Sequence, residues 1–174
     1  MKTIWKTTIA FFMLLLGAKV AIANQYYRKG KYETKYAIVH FDTVNDVYDF
    51  GDNLSSGFLE FNKSTRDNPN LIIQRIDGAV EDVAAKLKIP NASKFKVDIV
   101  LVRNQNEIAS IRRSYDSEAV SVMNTQAFYV PRINAIYMPV DSDVIVLRHE
   151  LVHALQLMYQ GNTNEETARK YQEG

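Results

Sequence analysis

Two histidines four positions apart, with a glutamate directly after the first, are the residues of this chain best suited to chemistry: His149-Glu150-Leu151-Val152-His153. They sit inside the run from Val144 to Gln156, which is apolar at helical spacing. On a helix, side chains four apart stand one above the other on the same face. His149 and His153 can therefore offer imidazole nitrogens to one metal ion. Glu150, on the flank of that face, can hydrogen-bond a metal-bound water without being a ligand itself. This is how a zinc site makes a nucleophile from water at neutral pH, with the carboxylate as general base.

Chance does not readily supply such a pattern. With only three His in 174 residues, it is expected in roughly one chain of this size in a few hundred at average residue usage. Nor is its surrounding that of a solvated helix face. Ile145, Val146, Val152 and Leu157 flank the motif, and polar side chains in apolar company need partners, because unpaired buried polar groups are costly.

The motif needs elements to position it. Residues 24–34 are polar and read as a loose lead-in. Tyr36 to Phe41, with its β-branched and aromatic residues, reads as a strand. Thr43 with Asp46 three residues on is a helix start, and Val44, Val47, Leu54, Phe58 and Phe61 continue it as an apolar stripe that Gly51 and Ser55-Ser56-Gly57 weaken. After the turn Asp67–Asn70, Ile72, Ile73, Ile76, Val80, Val83, Ala84 and Leu87 mark a second helix that stops before Pro90. Phe95 to Val102 alternates as a strand, and Asn104 with Glu107 opens a short helix to about Ser114. Residues 118–130 and 134–139 read as further strands, the last bracketed by Pro131 and Pro139 and so assigned to a sheet edge. Asp141 or Ser142 caps the helix of His149 and His153, and Gly161 ends it. The fold class that follows is α+β: a small mixed sheet with an edge strand beside the zinc-binding helix, and further helices packed on the sheet.

A catalytic zinc usually has three protein ligands and one open position. The metzincin pattern is excluded, because Gln156 and Tyr159 occupy the positions where it requires Gly and His. His40, the one other histidine, lies far upstream on a strand and reads as an ordinary strand residue. A downstream carboxylate remains: Glu165, Glu166 or Glu173. Thr163-Asn164-Glu165-Glu166 looks like a helix start, so Glu165 and Glu166 have a structural explanation as first-turn acids, whereas Glu173, two turns further on, has none.

At this point the chain resembles a known family. His149-Glu150-x-x-His153 followed after nineteen residues by Glu173, in the ending Tyr171-Gln172-Glu173-Gly174, is similar to the gluzincin-type zinc metallopeptidases, the peptidase-MA-like domains. The lead-in of helix, strand, short helix and strand before the motif is similar too, so the resemblance covers about residues 70–174. It implies a zinc-dependent peptidase in which His149, His153 and Glu173 hold Zn²⁺. Glu150 is then the general base that takes a proton from water and passes it to the leaving amine. The strand 134–138 is placed to pair with an extended peptide or protein substrate. The oxyanion donor is unassigned: Tyr115, Tyr129 and Tyr137 are candidates by residue type alone, and packing is their ordinary role. The family's helix continues past the glutamate, often with a further acid, whereas this chain stops at Gly174, which reads as a domain cut short. The competing function is non-catalytic: a zinc-containing protein that binds peptide or assists envelope assembly. Against it stands Glu150, which has no role in a closed structural zinc site.

Composition sets the outer bounds. A net charge of +1 carries no basic field for nucleic acid. Hydrophobic residues make up 47% of the chain, enough for a core of one domain. Lys2 and Lys6, the apolar run Ile9 to Ala18 and the small-x-small Ala21-Ile22-Ala23 read as a signal peptide over 1–23. The run is too short for a comfortable membrane span, so no stable span remains after cleavage. The expected organisation is signal 1–23, lead-in 24–34 and metallopeptidase-like domain 35–174, secreted or held in the periplasm or cell envelope. The absence of Cys is compatible with export.

Overall fold

The strand Val97-Asp98-Ile99-Val100-Leu101-Val102 explains the architecture around it. Five of its six residues are apolar, which is the signature of a strand covered on both faces. A computed structural model describes residues 28–55, 63–115, 126–161 and 167 of the chain. The signal segment, Phe58 and Phe61, residues 118–125, and Glu165, Glu166 and Glu173 lie outside the described residues.

The elements follow in chain order as β1 (Gly30–Glu33), β2 (Ala37–Phe41), α1 (Val44–Asn53), α2 (Asn70–Lys86), β3 (Val97–Val102), α3 (Gln105–Tyr115), β4 (Phe128–Val130), a 3₁₀ turn (Pro131–Ile133), β5 (Ala135–Pro139) and α4 (Val144–Gln160). The strands form one mixed sheet in the order β1-β2-β3-β5-β4. The three inner strands are parallel, with Val39 opposite Ile99 and Ile99 opposite Ile136. The two outer strands are antiparallel to their neighbours. With helices packed on both faces, the fold is α+β, as the sequence led us to expect.

Alternation along the inner strands divides the core in two. Val97, Ile99, Leu101, Ile136 and Met138 face the larger core, which α1, α2 and α4 complete. Val100, Val102, Ala135 and Tyr137 face a smaller core, closed by Ile108 and Ile111 of α3 and by Phe128 and Val130 of β4. Ile72, Ile76, Val80 and Val83 of α2 and Leu147, Leu151 and Leu155 of α4 are fully buried, each contributing about 1.5–3 kcal/mol relative to exposure. The capping box at Thr43 is formed: its backbone N–H donates to Asp46 Oδ2 (2.7 Å) and its hydroxyl accepts from the Asp46 N–H. Gly51 does more than loosen α1. A Cβ there would lie 2.7 Å from Ile72 Cγ1 and 2.9 Å from Thr65 Cγ2, so the absent side chain lets α2 and the segment before it approach.

Three expectations are corrected. Part of the stretch read as a loose lead-in is ordered: Gly30–Glu33 is strand β1. Arg28 ahead of it reaches Asp42 (3.0 Å) and Glu107 (2.5 Å), which ties the segment to two other parts of the fold. The strand at 135–139 is not at the edge, since it lies between β3 and β4. Pro131 opens the 3₁₀ turn that joins β4 to β5, and Pro139 closes β5, so the missing N–H groups fall at strand ends rather than along a free edge. Finally, the cap of α4 is Asp143, not Asp141 or Ser142. The Ser142 N–H donates to Pro139 O (3.1 Å) within the turn that leaves β5, and the helix starts after that turn.

Candidate metal centre

Helix α4 is fixed at both ends. Asp143 Oδ1 accepts from the backbone N–H groups of Ile145 (2.9 Å) and Val146 (3.0 Å). Gly161 takes a left-handed conformation, φ 71°, at the other end. One side of the helix carries Leu147, Leu151, Ala154 and Leu155 into the larger core. At 3.6 residues per turn His149 and His153 fall on the opposite side, where β4 packs against the helix.

There the two imidazoles converge. Nε2 of His149 and Nε2 of His153 are 3.3 Å apart, with the rings nearly perpendicular at 79°. Two nitrogens each about 2.0–2.1 Å from one zinc ion, at a tetrahedral angle, are separated by about 3.3–3.4 Å. The spacing of the two Nε2 atoms matches that of two ligands on one tetrahedral metal.

Glu150 lines the same pocket of about 250 Å³, with Phe128 and Tyr129 of the edge strand and Arg112 from the last turn of α3. His149 is 8% and Glu150 6% exposed, so both are largely screened from bulk water. Among the described residues no set of three metal-ligating side chains is assembled. The expected third ligand, Glu173, and its rivals Glu165 and Glu166 lie outside those residues.

The other sequence candidates fall into different places. His40 is buried on β2, with Nε2 2.6 Å from Asp98 Oδ1 on the neighbouring strand. Tyr137 is fully buried in the smaller core, its hydroxyl 3.1 Å from that of Tyr115. Burial first, and then the bond to Tyr115, push its phenol well above the ordinary range, so it stays neutral. Tyr129 lines the pocket, but its hydroxyl donates to Asn134 Oδ1 (3.0 Å), and burial raises its pKa as well.

Arg112 is the site residue that sequence reasoning missed. The Arg112-Arg113 pair at the end of a short helix reads as a favourable charge on the helix dipole. Packing of α3 onto the smaller core brings Arg112 into the lining of the pocket that holds His149 and Glu150.

The molecule is thus an α+β domain with a histidine pair and a carboxylate gathered in a pocket beside a short edge strand. Comparison of the chain with protein-family models, with curated proteins and with solved structures finds no match.

Proposed function

We propose that this protein is an exported zinc-dependent peptidase of the gluzincin kind. The observation that carries the reading is the 3.3 Å approach of the two Nε2 atoms with Glu150 in the same pocket. His149 and His153 would hold the ion, and Glu173 would complete the protein ligands. When bound, zinc supplies Lewis acidity, which polarises a carbonyl and makes water a nucleophile at neutral pH.

The remaining steps belong to the chain's own residues. An extended peptide lies along β4, which among the described residues pairs only with β5 and so offers a free edge. This moves the substrate-binding role from residues 134–138, where the sequence placed it, to Phe128–Val130. Glu150 accepts the proton of the attacking water as the carbon–oxygen bond forms. It then delivers that proton to the amine nitrogen as the carbon–nitrogen bond breaks.

Residues 1–23 support export by their basic start, short apolar run and small-x-small ending. Among the described residues no helix is long and apolar enough to cross a membrane.

The test pairs metal analysis with Glu150→Gln. The parent should bind about one zinc per chain. The variant should keep the zinc and lose peptidase turnover by on the order of 10²–10⁴. Equal turnover in parent and variant rejects Glu150 as the base. Zinc without turnover in either points instead to a zinc-containing peptide-binding or envelope-assembly protein.

A further inference from the structure

A second pocket, of about 430 Å³, adjoins the one that holds the histidine pair. Arg112, Phe128 and Tyr129 line both, and Tyr115 and Arg132 line the second alone. Phe128 and Tyr115 line it, and the buried ring of Tyr137 behind them links the two. Phe128 stacks on Tyr137 with centroids 5.2 Å apart and planes within 16°. Tyr137 in turn meets Tyr115 at 5.9 Å, with their hydroxyls in contact.

Each outer ring carries a guanidinium group. Cζ of Arg112 is 5.8 Å from the centre of Phe128, and Cζ of Arg132 is 5.8 Å from the centre of Tyr115. Both lie within cation–π range. Tyr137 at the middle of the stack is fully buried, so the platform is rigid. Side chains held on a rigid platform have less freedom to lose when a ligand arrives. Two cations face one space, and a guanidinium presents a planar fork that matches a carboxylate.

We propose that this pocket is a carboxylate subsite of the peptidase centre, with Arg112 and Arg132 as its anchors. It takes an acidic group of the peptide lying along β4, within a residue or two of the cleaved bond. The group is either an Asp or Glu side chain or the α-carboxylate of a chain end. The inference rests on the peptidase reading for its substrate, and on the two guanidinium groups for its chemistry.

The test uses the zinc-loaded full chain and matched peptides. One pair differs by Glu or Gln beside the cleaved bond, the other by a free or amidated C-terminus. The acid should be preferred over its neutral partner by about tenfold or more in kcat/KM, as expected for hydrogen bonds to a charged group. Arg132→Gln should cut that preference to about twofold, while thermal unfolding shows that this exposed substitution leaves the fold intact. The pair that responds identifies the source of the carboxylate.

The same peptides are titrated into zinc-loaded Glu150→Gln protein by calorimetry, which requires no turnover. Acid-selective binding that Arg132→Gln abolishes, with no cleavage by the parent, keeps the subsite and removes the peptidase reading. Equal handling of acid and neutral peptides, no binding of either, or a preference unaffected by Arg132→Gln overturns the subsite.

Discussion

Nε2 of His40, which is buried, lies 2.6 Å from Oδ1 of the half-buried Asp98, which joins β2 to β3. Two strands separate β2 from β4, so the chain's third histidine sits about 14 Å from the edge where the candidate centre lies. A histidine held in this way serves the sheet.

The pairing leads to a prediction that separates the three histidines. His149→Ala or His153→Ala should lower zinc affinity by at least about 100-fold, more than the ~10–100-fold typical of losing a residue that only supports a ligand. His40→Ala should leave zinc affinity within a few-fold and instead cost about 1–3 kcal/mol of stability, because it removes the hydrogen bond that joins β2 to Asp98 of β3. Competition with a chelating dye, together with urea unfolding, measures both. A zinc loss in His40→Ala as large as in His149→Ala would reject the assignment.

Glu173 is tested against its neighbours. Glu173→Ala should weaken zinc binding far more than Glu165→Ala or Glu166→Ala. The latter two should cost at most about 0.5–2 kcal/mol, the range for a lost helix cap. If Glu165→Ala or Glu166→Ala releases the metal and Glu173→Ala does not, the third ligand is misassigned while the histidine pair stands.

Asp52 gives a prediction about acid. Its Oδ1 accepts from the Thr65 N–H (2.6 Å) and its Oδ2 from the Ser64 hydroxyl (3.2 Å), and Arg75 is 3.6 Å away. Burial alone would raise its pKa, but the bonds from Thr65 and Ser64 and the nearby Arg75 outweigh that and hold it below the usual carboxylate value of 3.8. A lowered folded pKa stabilises the protein above the unfolded value, and that contribution is lost as the pH falls through the lower folded value. The stability difference between the parent and Asp52→Asn should therefore be constant above about pH 5 and shrink below about pH 4. Urea midpoints across that range provide the check; a difference that grows on acidification contradicts the sign.

Gly51→Ala sets two effects against each other. Alanine raises helix propensity by about 0.5–1 kcal/mol. The added Cβ meets Ile72 and Thr65 at less than 3.0 Å, and both are fully buried. Overpacking of that kind costs about 1–3 kcal/mol, so the variant should be less stable on balance. A rise in the unfolding midpoint would show that α2 can move away freely.

Much of this molecule was legible in its sequence because the signals were local. The capping box at Thr43, the helix that stops before Pro90, the strand ending at Val102, the Asn104 start of α3 and the left-handed Gly161 all depend on residues within a few positions of one another. The spacing that sets His149 over His153 is equally local, since one turn of helix suffices to define it.

Tertiary structure decided what no local signal carries. Strand order is a matter of which distant segments pair, so the edge fell to the three residues of β4 although the prolines pointed to β5. Gly30–Glu33 became a strand only because β2 offered a partner, with Arg28 anchored to Asp42 and Glu107. Arg112 joined His149 and Glu150 from a helix 37 positions upstream of that histidine. A side chain's place on its own element follows from a period of two or of 3.6. Its neighbours across the core follow from packing between segments far apart in the chain, and a single sequence has no period that records it.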